Sequence, residues 1–263
     1  MSEEEEVVGL STSDVSYPLL ISLYGKTKKG KTYFGASFPN AVVFDFAPVK
    51  WSYRGVSIDT SRTVGEGFRS IFMSQRKDGQ IIWVPKIPGF SYKNQYKFIK
   101  NKQDMLTAIE HARFYAESIP KENGKVWVVL DDSNRWRGIE VSDWQEKNGG
   151  KWPAQQQFGQ IVSIMKGELT QIQEFANVLL ISQMSKSFET DEYVAQIYPS
   201  GSDYLADASI EISEKVKDNK NVQVIKVHSN GHDFICNPGY CTEVEKPDPM
   251  EVLLSLKIPR ELW

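Results

Sequence analysis

The chain has little cysteine and little histidine. Only Cys236 and Cys241, with three histidines, occur among 263 residues. That excludes a disulfide framework and suits a reducing, cytoplasmic setting. No stretch approaches the roughly 20 apolar residues of a membrane span, so no membrane association is expected. Positive charge is not in excess either. The formal net charge of −3 excludes a uniformly basic nucleic-acid coat but leaves local basic patches open. The opening Met1-Ser2-Glu3-Glu4-Glu5-Glu6 lacks the basic start and apolar run of a secretory leader. Residues 1–16 are therefore expected to form a solvated acidic tail. Residues 17–263 suffice for one large α/β domain, and 40% hydrophobic residues is ordinary for a chain with a sizeable core.

What is present centres on Gly25-Lys26-Thr27-Lys28-Lys29-Gly30-Lys31-Thr32. Glycine, four residues, glycine, lysine and threonine is the spacing of a phosphate-binding loop. The two glycines let the backbone curl so that successive N–H groups point inward at a phosphate. Lys31 would bring positive charge to the β- and γ-phosphates, and the Thr32 hydroxyl would ligate Mg²⁺. A helix running on through Tyr33 would aim its positive end at the anion. Average residue usage gives a chance match in a chain this long odds of roughly one in a hundred. Context strengthens it: residues 19–24, LLISLY, read as a buried strand feeding the loop. Residues 31–37 should then start a short helix that stops near Pro39. The implied ligand is a nucleoside triphosphate, cradled by residues 25–33.

Residues 41–46 read as a second buried strand, ending at Asp45. Strand, loop, helix, strand opens a parallel α/β sheet, whose functional groups gather at the strands' carboxyl ends. Asp45 is thereby set near the phosphates, although a turn residue after a strand would look the same. Residues 126–132 give the second nucleotide signature, an apolar strand ending in Asp131-Asp132. Asp131 is assigned to Mg²⁺ beside Thr32, and Asp132 to orienting an attacking water, though the pattern alone does not decide which acid faces the metal. Residues 158–175 repeat apolar side chains at helical spacing and belong to the core. Residues 177–182 form another buried strand ending in Gln183, an amide that could sense a γ-phosphate or simply cap.

Between residues 69 and 102 the composition turns basic. Arg69, Arg76, Lys77, Lys86, Lys93, Lys97, Lys100 and Lys102 face a single acid, Asp78, with aromatic residues interleaved. Cations beside aromatic faces suit single-stranded nucleic acid, with Lys86, Lys93, Lys97 and Lys100 as contacts. The alternative is a solvated, hairpin-like insertion anchored by its aromatics. Residues 105–118 read as a helix capped by Asn101 or Asp104. Residues 135–157 hold Arg135, Arg137, Trp144, Gly149, Gly150 and Trp152. They read as a mobile glycine-rich loop: a second nucleic-acid contact, a subunit contact or an ordinary connection. Residues 207–240 read as antiparallel hairpins with turns at 218–220 and 229–231, and a short helix follows at 249–256. His228, His232, Cys236 and Cys241 are zinc-type donors. In a hairpin, however, Cys236 lies roughly 13 Å along the strand from His232, beyond the roughly 4 Å between ligands of one ion. No zinc site is expected.

Taken in order, these motifs resemble a known group. They are the loop 25–32, the strand ending at Asp45, the strand ending Asp131-Asp132-Ser133, Gln157-Phe158-Gly159 opening a long helix, the strand ending at Gln183, and a terminal hairpin. The chain resembles, over residues 19–227, the RecA-like P-loop ATPases carried by bacteriophages and mobile elements, which include the single-strand-annealing ATPases. The resemblance implies a RecA-like core: a mostly parallel twisted sheet flanked by helices, with C-terminal antiparallel edge strands. It further implies Mg-ATP as ligand, single-stranded DNA as partner in recombination, annealing or replication, and a homo-oligomer with ATP at its interfaces. Lys215 and Lys217 match a basic pair that, in related ATPases, reaches a neighbouring subunit's γ-phosphate. One departure stands out. The glutamate usual two residues beyond the second strand's aspartate is Ala47 here. Alanine cannot accept a proton, so Asp45 or Asp132 substitutes, or hydrolysis is slow. Two other readings fit the same loop: a non-hydrolysing module in which ATP gates assembly or DNA binding, and a kinase of a small-molecule acceptor.

Overall fold

The apolar runs near residues 20–25, 41–45, 127–131 and 177–182 become buried strands. The computed structural model describes residues 18–26, 29–36, 38, 40–46, 51–53, 56–58, 72–77, 80–85, 95–119, 124–187, 192–218, 220–230, 237–244 and 249–258. Its first half runs β1 (Leu20–Gly25), α1 (Lys31–Ala36), β2 (Ala41–Asp45), β3 (Trp51–Tyr53), β4 (Val56–Ile58), β5 (Phe72–Lys77), β6 (Gln80–Pro85), β7 (Gln95–Phe98), α2 (Lys102–Ser118) and β8 (Trp127–Asp131). The second half is α3 (Ser133–Lys147), α4 (Gln155–Gln173), β9 (Asn177–Lys186), β10 (Tyr193–Gln196), α5 (Ser202–Leu205), β11 (Ala208–Lys217), β12 (Lys220–Asn230), β13 (Cys241–Val244) and α6 (Pro249–Ser255).

Strands β11, β1, β9, β8, β2 and β7 lie side by side and parallel. Antiparallel strands extend both edges: β12 and β13 beyond β11, and β6 and β5 beyond β7. The outer half of β9 also pairs with β10, while β3 and β4 form a separate ribbon. This is the expected fold class, a mostly parallel sheet with flanking helices and C-terminal antiparallel edge strands. Among the described residues, no helix is long and apolar enough to cross a membrane.

A parallel sheet covered on both faces needs strands that are apolar throughout, because alternate side chains enter opposite layers. Leu20, Val42, Phe44, Val128, Leu130, Val178 and Leu180 share one core with Met105, Ile109, Val141, Ile161, Met165 and Leu169 of α2, α3 and α4. The residues between them face the other way. There Gly35 of α1 lies so close to Val129, Leu179 and Ile181 that an added Cβ would fall 2.8–3.2 Å from their side chains. Phe38 packs on Phe34 and on Trp127 in the same layer. Burying each such aliphatic or aromatic side chain contributes about 1.5–3 kcal/mol before entropy is charged against it.

Two stretches differ from the sequence-based expectation. Residues 135–157 are not a glycine-rich loop: most belong to α3, capped by Asp132 accepting a hydrogen bond from the Arg135 N–H at 2.9 Å. Gly149 and Gly150, at φ of 68° and 77°, end that helix in the left-handed region. The basic stretch 69–102 contains the expected hairpin, β5–β6, but its last third does not stand apart. Strand β7 joins the main sheet parallel to β2. Lys102 opens α2 and bonds two glutamates at 2.6 Å each. Of the two capping candidates for α2, Asn101 is the cap, accepting from the Asp104 N–H at 2.9 Å. The expected tail 1–16, Ala47, and the segment holding His232 and Cys236 lie outside the described residues.

Candidate nucleotide-binding site

Strand registers bring distant residues to one level. Leu23, Ile181, Asp131 and Asp45 occupy one row across β1, β9, β8 and β2, and Gly25 is paired with Gln183 two residues further on. The carboxyl ends of four strands therefore converge where β1 passes into the loop, as an open parallel sheet requires of its ligand crevice.

Within the loop, Lys31 is only 7% exposed. Its ammonium donates to the carbonyls of Gly25 and Lys26 at 2.7 and 2.8 Å, so the loop curls around it. Burial lowers the Lys31 pKa, with Asp131 and Asp132 pulling it back up. Gly25 and Gly30 are both required. A Cβ on Gly25 would sit 2.2 Å from the Ile212 carbonyl oxygen, and Gly30 adopts φ 86°. Of the other loop residues, Lys26 lies over the Tyr193 ring at 3.9 Å and Lys29 pairs with Glu214 at 2.5 Å. Thr27, Lys28 and the Tyr33 side chain lie outside the described residues.

The Thr32 hydroxyl donates to Asp131 Oδ2 at 2.5 Å, across 99 residues of sequence. Burial pushes the Asp131 carboxyl up to about 6, against the Thr32 hydrogen bond that lowers it. Asp132 has a different task. Besides capping α3, it accepts from Gln183 Nε2 at 2.6 Å and lies 3.7 Å from Arg135. The two acids thus have different partners: Asp131 reaches Thr32, and Asp132 reaches Gln183. Asp45 is buried at the end of β2, one strand from Asp131.

The donor set fits Mg²⁺ and a polyphosphate. Among the described residues, no group of three or more His, Cys, Asp and Glu side chains is placed to cage a metal. Mg²⁺ does not require one, because it is commonly held by one or two carboxylates, waters and phosphate oxygens. One hydroxyl and one carboxylate, beside a buried lysine, is such a set.

The six basic residues proposed for nucleic acid separate into groups. Lys86 and Lys93 lie outside the described residues. Lys97 bonds His111 at 3.0 Å, and the Arg137 guanidinium is held by the Phe158 and Tyr198 rings at 4.9 and 4.6 Å. Lys100 and Arg135 are exposed, just beyond the carboxyl ends of β7 and β8. Lys215 and Lys217 share β11 with Glu214 and both pair with Glu243 of β13, Lys217 at 3.1 Å. Sequence reading missed Asn134, which accepts from the Gln183 N–H at 3.5 Å, and Glu214 and Gln223, which bond Lys29; their polar side chains carry no spacing signal.

No protein-family model matches the chain, and no curated protein sequence matches it. Among solved structures, the chain is similar to the RadB recombinase at TM-score 0.48 and 13% identity, over 89% of this chain and 90% of that one. It is also similar to a KaiC-like protein from the hyperthermophilic archaeon Pyrococcus horikoshii at TM-score 0.45 and 10% identity, over 86% and 84% of the two chains.

Proposed function

We propose that this chain is a Mg-ATP-binding, RecA-like ATPase that acts on single-stranded DNA in recombination, annealing or replication. It would be of the kind carried by bacteriophages and mobile elements. The observation that carries the reading is the Thr32–Asp131 contact beside the buried Lys31. Three residues from two separate motifs meet where β1 enters the loop, and each supplies what a Mg-polyphosphate needs. Lys31 and the loop N–H groups would hold the phosphates, while Thr32 and Asp131 would hold Mg²⁺. Held there, Mg²⁺ would supply positive charge to offset the negative charge that develops on the phosphates. Gln183, tethered to Asp132, is the group set to respond to a γ-phosphate. In a homo-oligomer with ATP between subunits, Lys215 and Lys217 would exchange Glu243 for the neighbour's nucleotide. Of the six basic residues proposed for nucleic acid, Lys100 and Arg135 are the described ones that are exposed.

A second reading is favoured by one specific feature. The usual glutamate position is Ala47, and Asp132 is committed to a helix cap and to Gln183. Neither position offers an uncommitted base for water, and Asp45, the other candidate, is buried at the end of β2; this favours ATP binding that gates assembly or DNA binding with slow turnover. The test is Mg-ATP hydrolysis with and without single-stranded DNA, alongside DNA binding with and without a non-hydrolysable ATP analogue. DNA-stimulated turnover is expected for the ATPase. Analogue-dependent DNA binding without turnover would replace it by the gated module, and indifference to DNA in both assays would reject both in favour of a kinase.

A further inference from the structure

Strand β11 does not stop where its neighbour β1 stops. Tyr24 is in register with Glu211, yet β11 continues to Lys217, so the β11–β12 hairpin runs on alongside the phosphate loop. Glu214 and Gln223 stand directly opposite each other in that hairpin. Opposed residues of an antiparallel pair share a face, and both side chains reach the same loop residue. Glu214 pairs with the Lys29 ammonium at 2.5 Å, and Gln223 Nε2 donates to the Lys29 carbonyl at 3.2 Å. The hairpin also crowds both motif glycines. Ile212 O blocks a side chain at Gly25, and Gln223 Nε2 would lie 2.5 Å from a Cβ on Gly30.

A trans peptide is planar, with its C=O and N–H on opposite edges. Holding the Lys29 carbonyl outward on Gln223 therefore turns the Gly30 N–H the opposite way, toward the interior of the loop. We infer that Gln223 is a positioning residue for nucleotide phosphate: it fixes the Lys29–Gly30 peptide so that the Gly30 N–H is presented to the anion, with Glu214 bracing the same residue through its side chain. This rests on the nucleotide reading of the loop and extends it to a hairpin 194 residues away in sequence.

The experiment uses the full chain and three substitutions. Gln223→Met keeps the length and removes the donor, Gln223→Glu puts an acceptor against a carbonyl, and Glu214→Gln removes the brace's charge. Mg-ADP and Mg-ATP affinities are measured together with hydrogen exchange of the Gly30 amide in the nucleotide-free protein. Loss of one neutral hydrogen bond corresponds to about a 3–10-fold loss of affinity. Gln223→Met should show that loss with faster Gly30 exchange, and Glu214→Gln a smaller loss. Gln223→Glu should lose most at pH 8 and recover relative to wild type toward pH 5, where a protonated carboxyl regains a donor. Wild-type affinity in both Gln223 variants would overturn the inference while leaving the nucleotide site standing. So would a loss of affinity with Gly30 exchange unchanged. A wild-type chain that binds no nucleotide would overturn the underlying reading and this inference with it.

Discussion

Two lysines of this protein, the buried Lys31 and the half-buried Lys102, lie beside paired carboxylates, and their surroundings treat them in opposite ways. Lys102, at the start of α2, bonds directly to Glu140 and Glu168 at 2.6 Å each, and Glu168 also accepts from the Trp136 indole N–H at 3.2 Å. Burial alone would lower the Lys102 pKa, but the two carboxylate hydrogen bonds more than offset it and raise it. Lys31 also lies near two acids, Asp131 and Asp132, yet its hydrogen bonds go to loop carbonyls, and burial lowers its pKa. Lys102 has its counter-charges in hand; Lys31 keeps an ammonium without a bonded anion. A buried cation whose partners are neutral carbonyls is poised for an anion from outside. One bonded to two glutamates joins three helices of the core. Buried charge by itself therefore does not mark a site, and the identity of the hydrogen-bond partner does.

The comparison can be broken by exchanging the outcomes. Lys31→Ala should have the largest effect, abolishing nucleotide binding or turnover while the fold stays intact, as judged by circular dichroism and a melting curve. Full activity in a folded variant would remove the distinction. Lys102→Met should do the reverse. Leaving two carboxylates buried without their cation costs about 3–5 kcal/mol of stability in urea unfolding, with nucleotide affinity retained in the folded fraction.

Glu168→Gln sharpens the contrast through pH. Burial, reinforced by the Glu140 charge, pushes the Glu168 carboxyl up from 4.5 to about 7. Because the folded value lies above the unfolded one, the folded protein holds an extra proton between them. The stability this contributes is full below about 4.5 and lost as pH rises through about 7. Urea unfolding of the glutamine variant should accordingly depend less on pH between 5 and 8 than that of wild type. The smallest effect concerns exposed charge. Lys100→Glu with Arg135→Glu should weaken single-stranded DNA binding and reduce its salt dependence by roughly one unit of slope for each phosphate left without its cation. Reversing Lys97 or Arg137, which are engaged by His111 and by two aromatic rings, should instead show first as lower stability.

The sheet was legible because its strands are apolar on both faces, which leaves runs such as Val128-Val129-Leu130 that no surface element would carry. The curled loop between β1 and α1 was legible because its two glycines stand at a fixed spacing, Gly25 and Gly30. Helix α3 was not, for a physical reason. Its buried positions are Ser133, Trp136, Glu140 and Val141, at helical spacing but half of them polar, so the hydrophobic pattern that betrays a helix is missing. Glu140 reads as a surface residue until Lys102 is brought to it from another helix. The division of labour between Asp131 and Asp132 was likewise hidden. It depends on which carboxyl reaches Thr32, and therefore on the registers of β1, β9 and β8. The grip of Gln223 on the loop depends on β11 outrunning β1, a length relation between strands far apart in the chain.

The most direct measurement is calorimetric titration of ATP into the full chain, with and without Mg²⁺, in wild type and Lys31→Ala. The account predicts one site per chain in wild type, tighter with Mg²⁺ and absent in the variant. No binding, or Mg²⁺-independent binding that survives Lys31→Ala, would contradict it.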